Sequence, residues 1–191
     1  AMPRRNATTA LLVIDMFSRF DFPDAGALAP LAERAATRIR RVRDHCDARR
    51  WPVIHANDNF SDWQRDFRQQ VEQCRRDGGS AARIADMLAP APHHYFVLKP
   101  KHSAFLATPL PILLAKLGVR HLWLTGMATD SCVLATALDA NAREFKVTVV
   151  ADATAALPAR RRVALQTLER SGAARIETVA GLLSSPRRAQ R

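Results

Sequence analysis

Hydrophobic and polar positions along this chain fall into two alternating patterns. Short continuous apolar runs of strand length recur, separated by longer stretches in which apolar residues stand three and four apart. Residues 10–15, Ala-Leu-Leu-Val-Ile-Asp, form the first run, continuous in the manner of a strand buried on both faces. Leu31, Ala35, Ile39 and Val42 follow at helical spacing and predict a helix over 31–50. Residues 51–56 make a second strand. Beyond a loop at 57–60, Trp63, Phe67 and Val71 fall at i, i+4 and i+8, which predicts another helix. A Gly-Gly turn at 78–79 leads to a short helix over 81–88, ended by Pro90 and Pro92. Residues 95–98 make the third strand. Pro109 and Pro111 suit the first turn of a helix that Gly118 stops. Strands at 121–125, 145–150 and 174–179 alternate with helices at 130–143 and 160–170, the latter stopped by Gly172.

Six strands alternating with helices predict an α/β fold, a doubly wound six-stranded parallel sheet with helices on both faces, Rossmann-like and three-layered. No repeat or linker divides the chain, so one domain is expected over 1–191, with its core at about 8–180 and a basic, poorly ordered tail at 184–191. Ala1 ahead of Met2 reads as a residue added for expression, and the start lacks the spacing of a signal peptide. No apolar run reaches the roughly 18–20 residues of a membrane span. A cytoplasmic protein is expected.

The net charge of +11 raises nucleic-acid binding. Only four of the 29 basic residues are lysines, and the arginines are scattered from Arg4 to Arg191 rather than gathered in a stripe. A solvated basic surface is expected, with no nucleic acid and no membrane as partner. Cys46, Cys74 and Cys132 are odd in number and widely spaced, without a Cys-x-x-Cys, so neither a zinc ribbon nor a disulfide framework is indicated. No Gly-rich phosphate motif occurs among the seven glycines, and no nucleotide cofactor is expected.

In parallel sheets of this kind ligands bind beyond the carboxyl ends of the strands. Three strand ends there carry chemistry. Asp15 closes the first run, where a carboxylate needs a partner, as a catalytic acid or as the cap of the next helix. Lys99 closes the third strand ahead of Pro100; it either meets a carboxylate, for which Asp15 is a candidate, or extends to solvent. Cys132 follows a strand and a glycine and opens a helix, with Thr129 or Asp130 as N-cap. It is either a buried structural cysteine or a nucleophile whose pKa the helix dipole and a nearby Lys99 would lower. An acid, a cation and a thiol together are what covalent acyl transfer needs.

Several stretches resemble the isochorismatase-like superfamily of cysteine hydrolases, which includes nicotinamidases and N-carbamoyl-amide hydrolases. They are Leu-Leu-Val-Ile-Asp15 with Phe20; Val-Leu-Lys99-Pro-Lys-His-Ser-Ala-Phe105 with Thr108 and Leu110; Gly126-Met-Ala-Thr-Asp-Ser-Cys132-Val with Thr136; and Val-Val-Ala-Asp152. The resemblance covers about residues 8–180. It implies an Asp15–Lys99–Cys132 triad in which the aspartate takes the thiol proton and the thiolate attacks a carbonyl. It also implies a cis peptide between Met127 and Ala128, an oxyanion hole from the N–H groups of Ala128 and Cys132, and Phe20 packed against the substrate.

Two departures bear on specificity. The metal-binding Asp-x-His cluster of nicotinamidases is replaced by His55-Ala-Asn57-Asp58-Asn59-Phe60, so no metal is expected, and Ser131 stands where several nicotinamidases have histidine. Asn57, Trp63, Phe105 and Ser131 are the further candidates for substrate contact, although Trp63 equally suits a helix core and Phe105 more readily suits packing. His93, His94 and His102 are expected at the surface or in supporting roles, and Cys46 and Cys74 as inert. The expected activity is cleavage of a C–N bond in a small carboxamide or N-carbamoyl compound through a thioester at Cys132, without cofactor, by a homo-oligomer. The alternatives are an isochorismatase-type enol-ether hydrolase or a non-catalytic binding protein on the same fold.

Overall fold

The computed structural model describes residues 8–59 and 63–184; the N-terminal residues, Phe60 and most of the basic tail lie outside them. Six strands, β1 (Thr9–Ile14), β2 (Val53–Asp58), β3 (Tyr95–Lys99), β4 (His121–Met127), β5 (Lys146–Ala155) and β6 (Arg175–Glu177), form one sheet in the order β3-β2-β1-β4-β5-β6. Every pairing is parallel. Strand order reverses between β1 and β4, and in sheets of this kind ligands bind beyond the carboxyl ends at such a point.

Among the described residues seven α-helices cover the two faces: α1 (Ala25–Ala48), α2 (Phe67–Asp77), α3 (Gly79–Met87), α4 (Leu110–Leu117), α5 (Leu134–Ala142), α6 (Pro158–Arg170) and α7 (Val179–Ser184). Successive strand residues point to opposite faces. Leu11 and Val13 therefore pack with Val53 and Trp123 under α1, α2, α3 and α7. Leu12 and Ile14 pack with Ile54, Val97 and Leu124 under α4, α5 and α6. The buried face of α1 is largely alanine, which lets the helix lie close to the sheet.

The structure moves several expected boundaries. The helix anticipated from Trp63 begins only at Phe67, because the Asp66 carboxylate accepts from the Gln69 N–H while the Gln69 side chain accepts from the Asp66 N–H. That reciprocal cap outweighs the apolar spacing. Strand β5 runs ten residues and slips register against β4 between Leu124 and Gly126. The segment after β6 is a helix, α7, anchored where the Val179 N–H donates to Asp152 (2.7 Å). Several arginines form exposed ion pairs, such as Arg83–Glu33 and Arg143–Asp139, which contribute little individually.

Gly126 is the one glycine whose absent side chain the fold demands. It sits opposite Ile14 with φ 112°, and a Cβ there would overlap the Ile14 carbonyl. Gly126→Ala should lower stability by about 3 kcal/mol through backbone strain and overpacking, read as a fall in the urea midpoint; an unchanged midpoint would contradict this account. His55 is buried among the rings of Phe17, Phe67 and His94. Burial, then His94 and Arg43, pull its pKa down to about 3, and burial pulls His121 to about 4. The unfolded chain takes up both protons as pH falls below 6.5, whereas the folded chain does not. Stability should therefore decline from pH 6.5 toward 4; a flat profile would be inconsistent with neutral buried rings.

Candidate active site

The site forms where the chain leaves β1, β3 and β4. Asp15 follows β1 directly, with φ 51°, a left-handed conformation that aspartate tolerates better than most residues. Its N–H donates to the Ala56 carbonyl (3.0 Å), and its Oδ1 accepts from the Asp58 N–H (2.6 Å). The end of β2 thereby fixes the carboxylate. Lys99 ends β3, two strands from β1. Its side chain is 0% exposed, and Nζ lies 2.7 Å from Asp15 Oδ2. The other ammonium donors go to the Lys101 carbonyl (3.0 Å) and Cys132 Sγ (3.6 Å). All three are used.

Cys132 lies in a single π-helical turn, Thr129–Val133, between β4 and α5. Neither Thr129 nor Asp130 caps this turn, contrary to the expectation from sequence. Ala128 is the N-cap residue, and its carbonyl accepts from the Ser131 and Val133 N–H groups. The Met127–Ala128 peptide is cis. π-Turns embedded in helices recur at functional sites.

The thiol is not acidified, which corrects the expectation of a lowered pKa. Burial, and then the adjacent Asp15 carboxylate, push Cys132 up to about 12, against the pull of Lys99 and Ser131. Burial also raises Asp15, with Lys99 and the hydrogen bonds from Cys132, Lys99 and the Asp58 N–H pulling back. Burial acts downward on Lys99, but Asp15 and Cys132 offset it and the net shift is upward. These directions favour a neutral thiol beside the Asp15–Lys99 ion pair. A carboxylate of raised basicity beside a thiol is chemically able to take its proton.

Other expected site residues divide. Ser131 is at the site, its Oγ 3.8 Å from Cys132 Sγ. Phe20 is half-buried on the loop after Asp15, with φ 54°. Asn57 is not free for substrate: it is 1% exposed, its Oδ1 accepts from the Phe17 N–H, and its Nδ2 donates to the Phe17 and Asp58 carbonyls. It clamps the loop that carries Asp15. Trp63 is 78% exposed in a turn, outside the hydrophobic core. Phe105 is buried against Phe145, with the Arg143 guanidinium over its ring, so it packs rather than lines the site. Cys46 is buried, as is Cys74, and burial raises both thiols.

His102, expected in a supporting role, is brought to the Cys132 thiol. Its Nδ1 lies 3.7 Å from Cys132 Sγ and 3.2 Å from Ser131 Oγ. The signal in sequence was its place three residues past Lys99, on a loop leaving a strand's carboxyl end. Asp47, His93 and His94 also converge, at the opposite end of β3. His94 Nδ1, however, faces the Ala91 N–H (3.2 Å) and His55 Nε2 (3.3 Å). With an N–H donor on that side, its proton sits on Nε2 and points at Asp47, which makes this a hydrogen-bonded anchor rather than a ready metal site.

Comparison with known proteins gives one consistent result. The isochorismatase domain family matches residues 9–180. An uncharacterised isochorismatase family protein, YaaI of Bacillus subtilis, is 38% identical over 78% of this chain and 81% of its own. The ureidoacrylate amidohydrolase RutB of Methylorubrum extorquens is 31% identical over 85% of this chain and 76% of its own. The crystal structure of N-carbamoylsarcosine amidase from Thermoplasma acidophilum superposes with a TM-score of 0.70 at 26% identity, over 90% of this chain and 96% of that one.

Because the Asp15 carboxylate holds the thiol proton in place, Asp15→Asn should move the pH profile of Cys132 alkylation to lower pH while turnover is lost. Lys99→Met should move it the other way. Peptide mass spectrometry separates Cys132 from Cys46 and Cys74, and shifts of the same sign in both variants would refute this electrostatic account.

Proposed function

The chain belongs to the isochorismatase family, and from that membership and the geometry of the site we propose that it is a cysteine hydrolase cleaving the C–N bond of a small carboxamide or N-carbamoyl compound. The observation that carries this is the convergence on one thiol of Asp15, paired at 2.7 Å with the fully buried Lys99, and of Lys99 itself at 3.6 Å. The names of two similar proteins, a ureidoacrylate amidohydrolase and an N-carbamoylsarcosine amidase, both describe carbamoyl–nitrogen bonds and support this substrate class.

In this mechanism Asp15 accepts the Cys132 proton and the thiolate attacks the carbonyl carbon. The oxyanion is held by the backbone N–H groups of Ala128 and Cys132, with the Lys99 charge nearby. Asp15 passes its proton to the leaving nitrogen, the C–N bond breaks, and ammonia or an amine departs. Water then hydrolyses the thioester. Phe20 and Ser131 are the side chains best placed among the sequence candidates to meet the acyl group. No helix among the described residues is long and apolar enough to cross a membrane. Exposed Leu106, Ile112 and Leu138 lie on or beside α4 and α5, on one face of the sheet, and support assembly of identical copies there.

The test is ammonia release from a panel of carboxamides and N-carbamoyl amino acids. Cys132→Ala should lower turnover of any active compound by about 10⁴-fold or more, with the thermal transition unchanged. A variant that kept most of its rate would sink the thioester mechanism and point to direct attack of water on the C–N substrate.

A further inference from the structure

Asp15 and Lys99 meet the thiol from the interior of the site, whereas deacylation needs water arriving from the solvent side. Asp15 is 13% exposed, and both its oxygens are engaged, one by the Asp58 N–H and one by Lys99. Once its borrowed proton has left with the amine, the thioester must be attacked by water arriving from solvent, and the sulfur must regain a proton. An exposed group on the sulfur's solvent side is suited to both tasks. His102 is that group. Its loop is pinned to α5 by the Ser103 hydroxyl donating to Asp139 (2.7 Å) and by the Ala104 N–H donating to Thr136 (3.0 Å). Helix α5 continues directly from the turn that carries Cys132, so His102 and the thiol are held on one rigid unit.

Building on the thioester reading, we infer that His102 is a catalytic residue of deacylation, the base for the hydrolytic water and then the acid that restores the thiol. The neutral ring with Nδ1 bare accepts a proton from water as the water oxygen bonds to the acyl carbon. The tetrahedral adduct collapses, the C–S bond breaks and its electrons return to Sγ, and the carboxylic acid leaves. The protonated ring, 3.7 Å away, returns the proton to the thiolate. One water is consumed, and thiol and histidine both return to their starting states. Ser131 Oγ, 3.2 Å from Nδ1 and 3.8 Å from Sγ, orients the ring and can donate its proton to either. The resting state agrees with this cycle, since a thiol held protonated needs a proton delivered each turnover.

The experiment uses p-nitrophenyl acetate, whose leaving phenolate needs no proton, so acylation does not depend on a general acid. Wild-type enzyme should release a burst of p-nitrophenol and then a steady state limited by deacylation. His102→Gln should keep the burst while the steady state falls about 10²-fold, with an acetyl adduct accumulating on Cys132. Hydroxylamine, a nucleophile that needs little base assistance, should restore turnover of the variant, and the steady-state solvent isotope effect should change. A steady state equal to wild type, or a burst slowed as much as the steady state, would overturn the role given to His102. If the wild-type enzyme gives no burst and Cys132→Ala releases p-nitrophenol equally fast, the thioester reading itself fails, and the inference with it.

Discussion

An ammonium group with no access to water has to be met by a negative charge, and much of this active site follows from that constraint. Lys99 is wholly buried and pairs with Asp15 at 2.7 Å. Removing either partner from such a pair leaves an uncompensated buried charge, at a cost of about 3–5 kcal/mol. The pair also ties the end of β1 to the end of β3 across β2 and fixes where both side chains stand beside Cys132. Cys132 is held against this pair. Its protonation follows from the balance of burial, carboxylate and ammonium around it.

Several residues serve the site without facing it, among them Gly126, Thr136 and Asp152 of the family pattern. Asn57 clamps the Phe17 backbone and so holds the loop after Asp15. Thr136 and Asp139 on α5 hold the loop after Lys99. Asp152 receives the Val179 N–H and pairs with Arg38 at 2.6 Å, joining α7 and α1 to β5. Gly126 lets β4 approach β1 where any side chain would strike the Ile14 carbonyl. Each satisfies a backbone group or removes a clash near a strand end. A shift of about 1 Å in a reacting group can cost a hundredfold in rate.

The site is divided by exposure. On the interior side, Asp15 and Lys99 meet the thiol as a buried charge pair suited to drawing off its proton. On the solvent side stand Ser131 and His102, with single-atom approaches of 3.7–3.8 Å to the sulfur. The proposed double displacement asks for both environments: a dry one in which a carboxylate is basic enough to activate a thiol, and a wet one in which water can be admitted and deprotonated.

Continuous apolar runs separated by helical spacings determined a parallel sheet with helices on both faces, because hydrophobic period is local and survives any tertiary arrangement. The same locality put Asp15, Lys99 and Cys132 at strand ends. Local pattern could not decide where the helix near Trp63 begins, since a side-chain cap at Asp66 and Gln69 competed with apolar spacing and won. Nor could it show that Asn57 and Phe105 turn inward, or that His102 faces the thiol. Those outcomes, and the direction of the thiol's pKa, depend on which atoms distant in sequence come within a few ångströms of one another and how much water they exclude. Only the folded chain decides that.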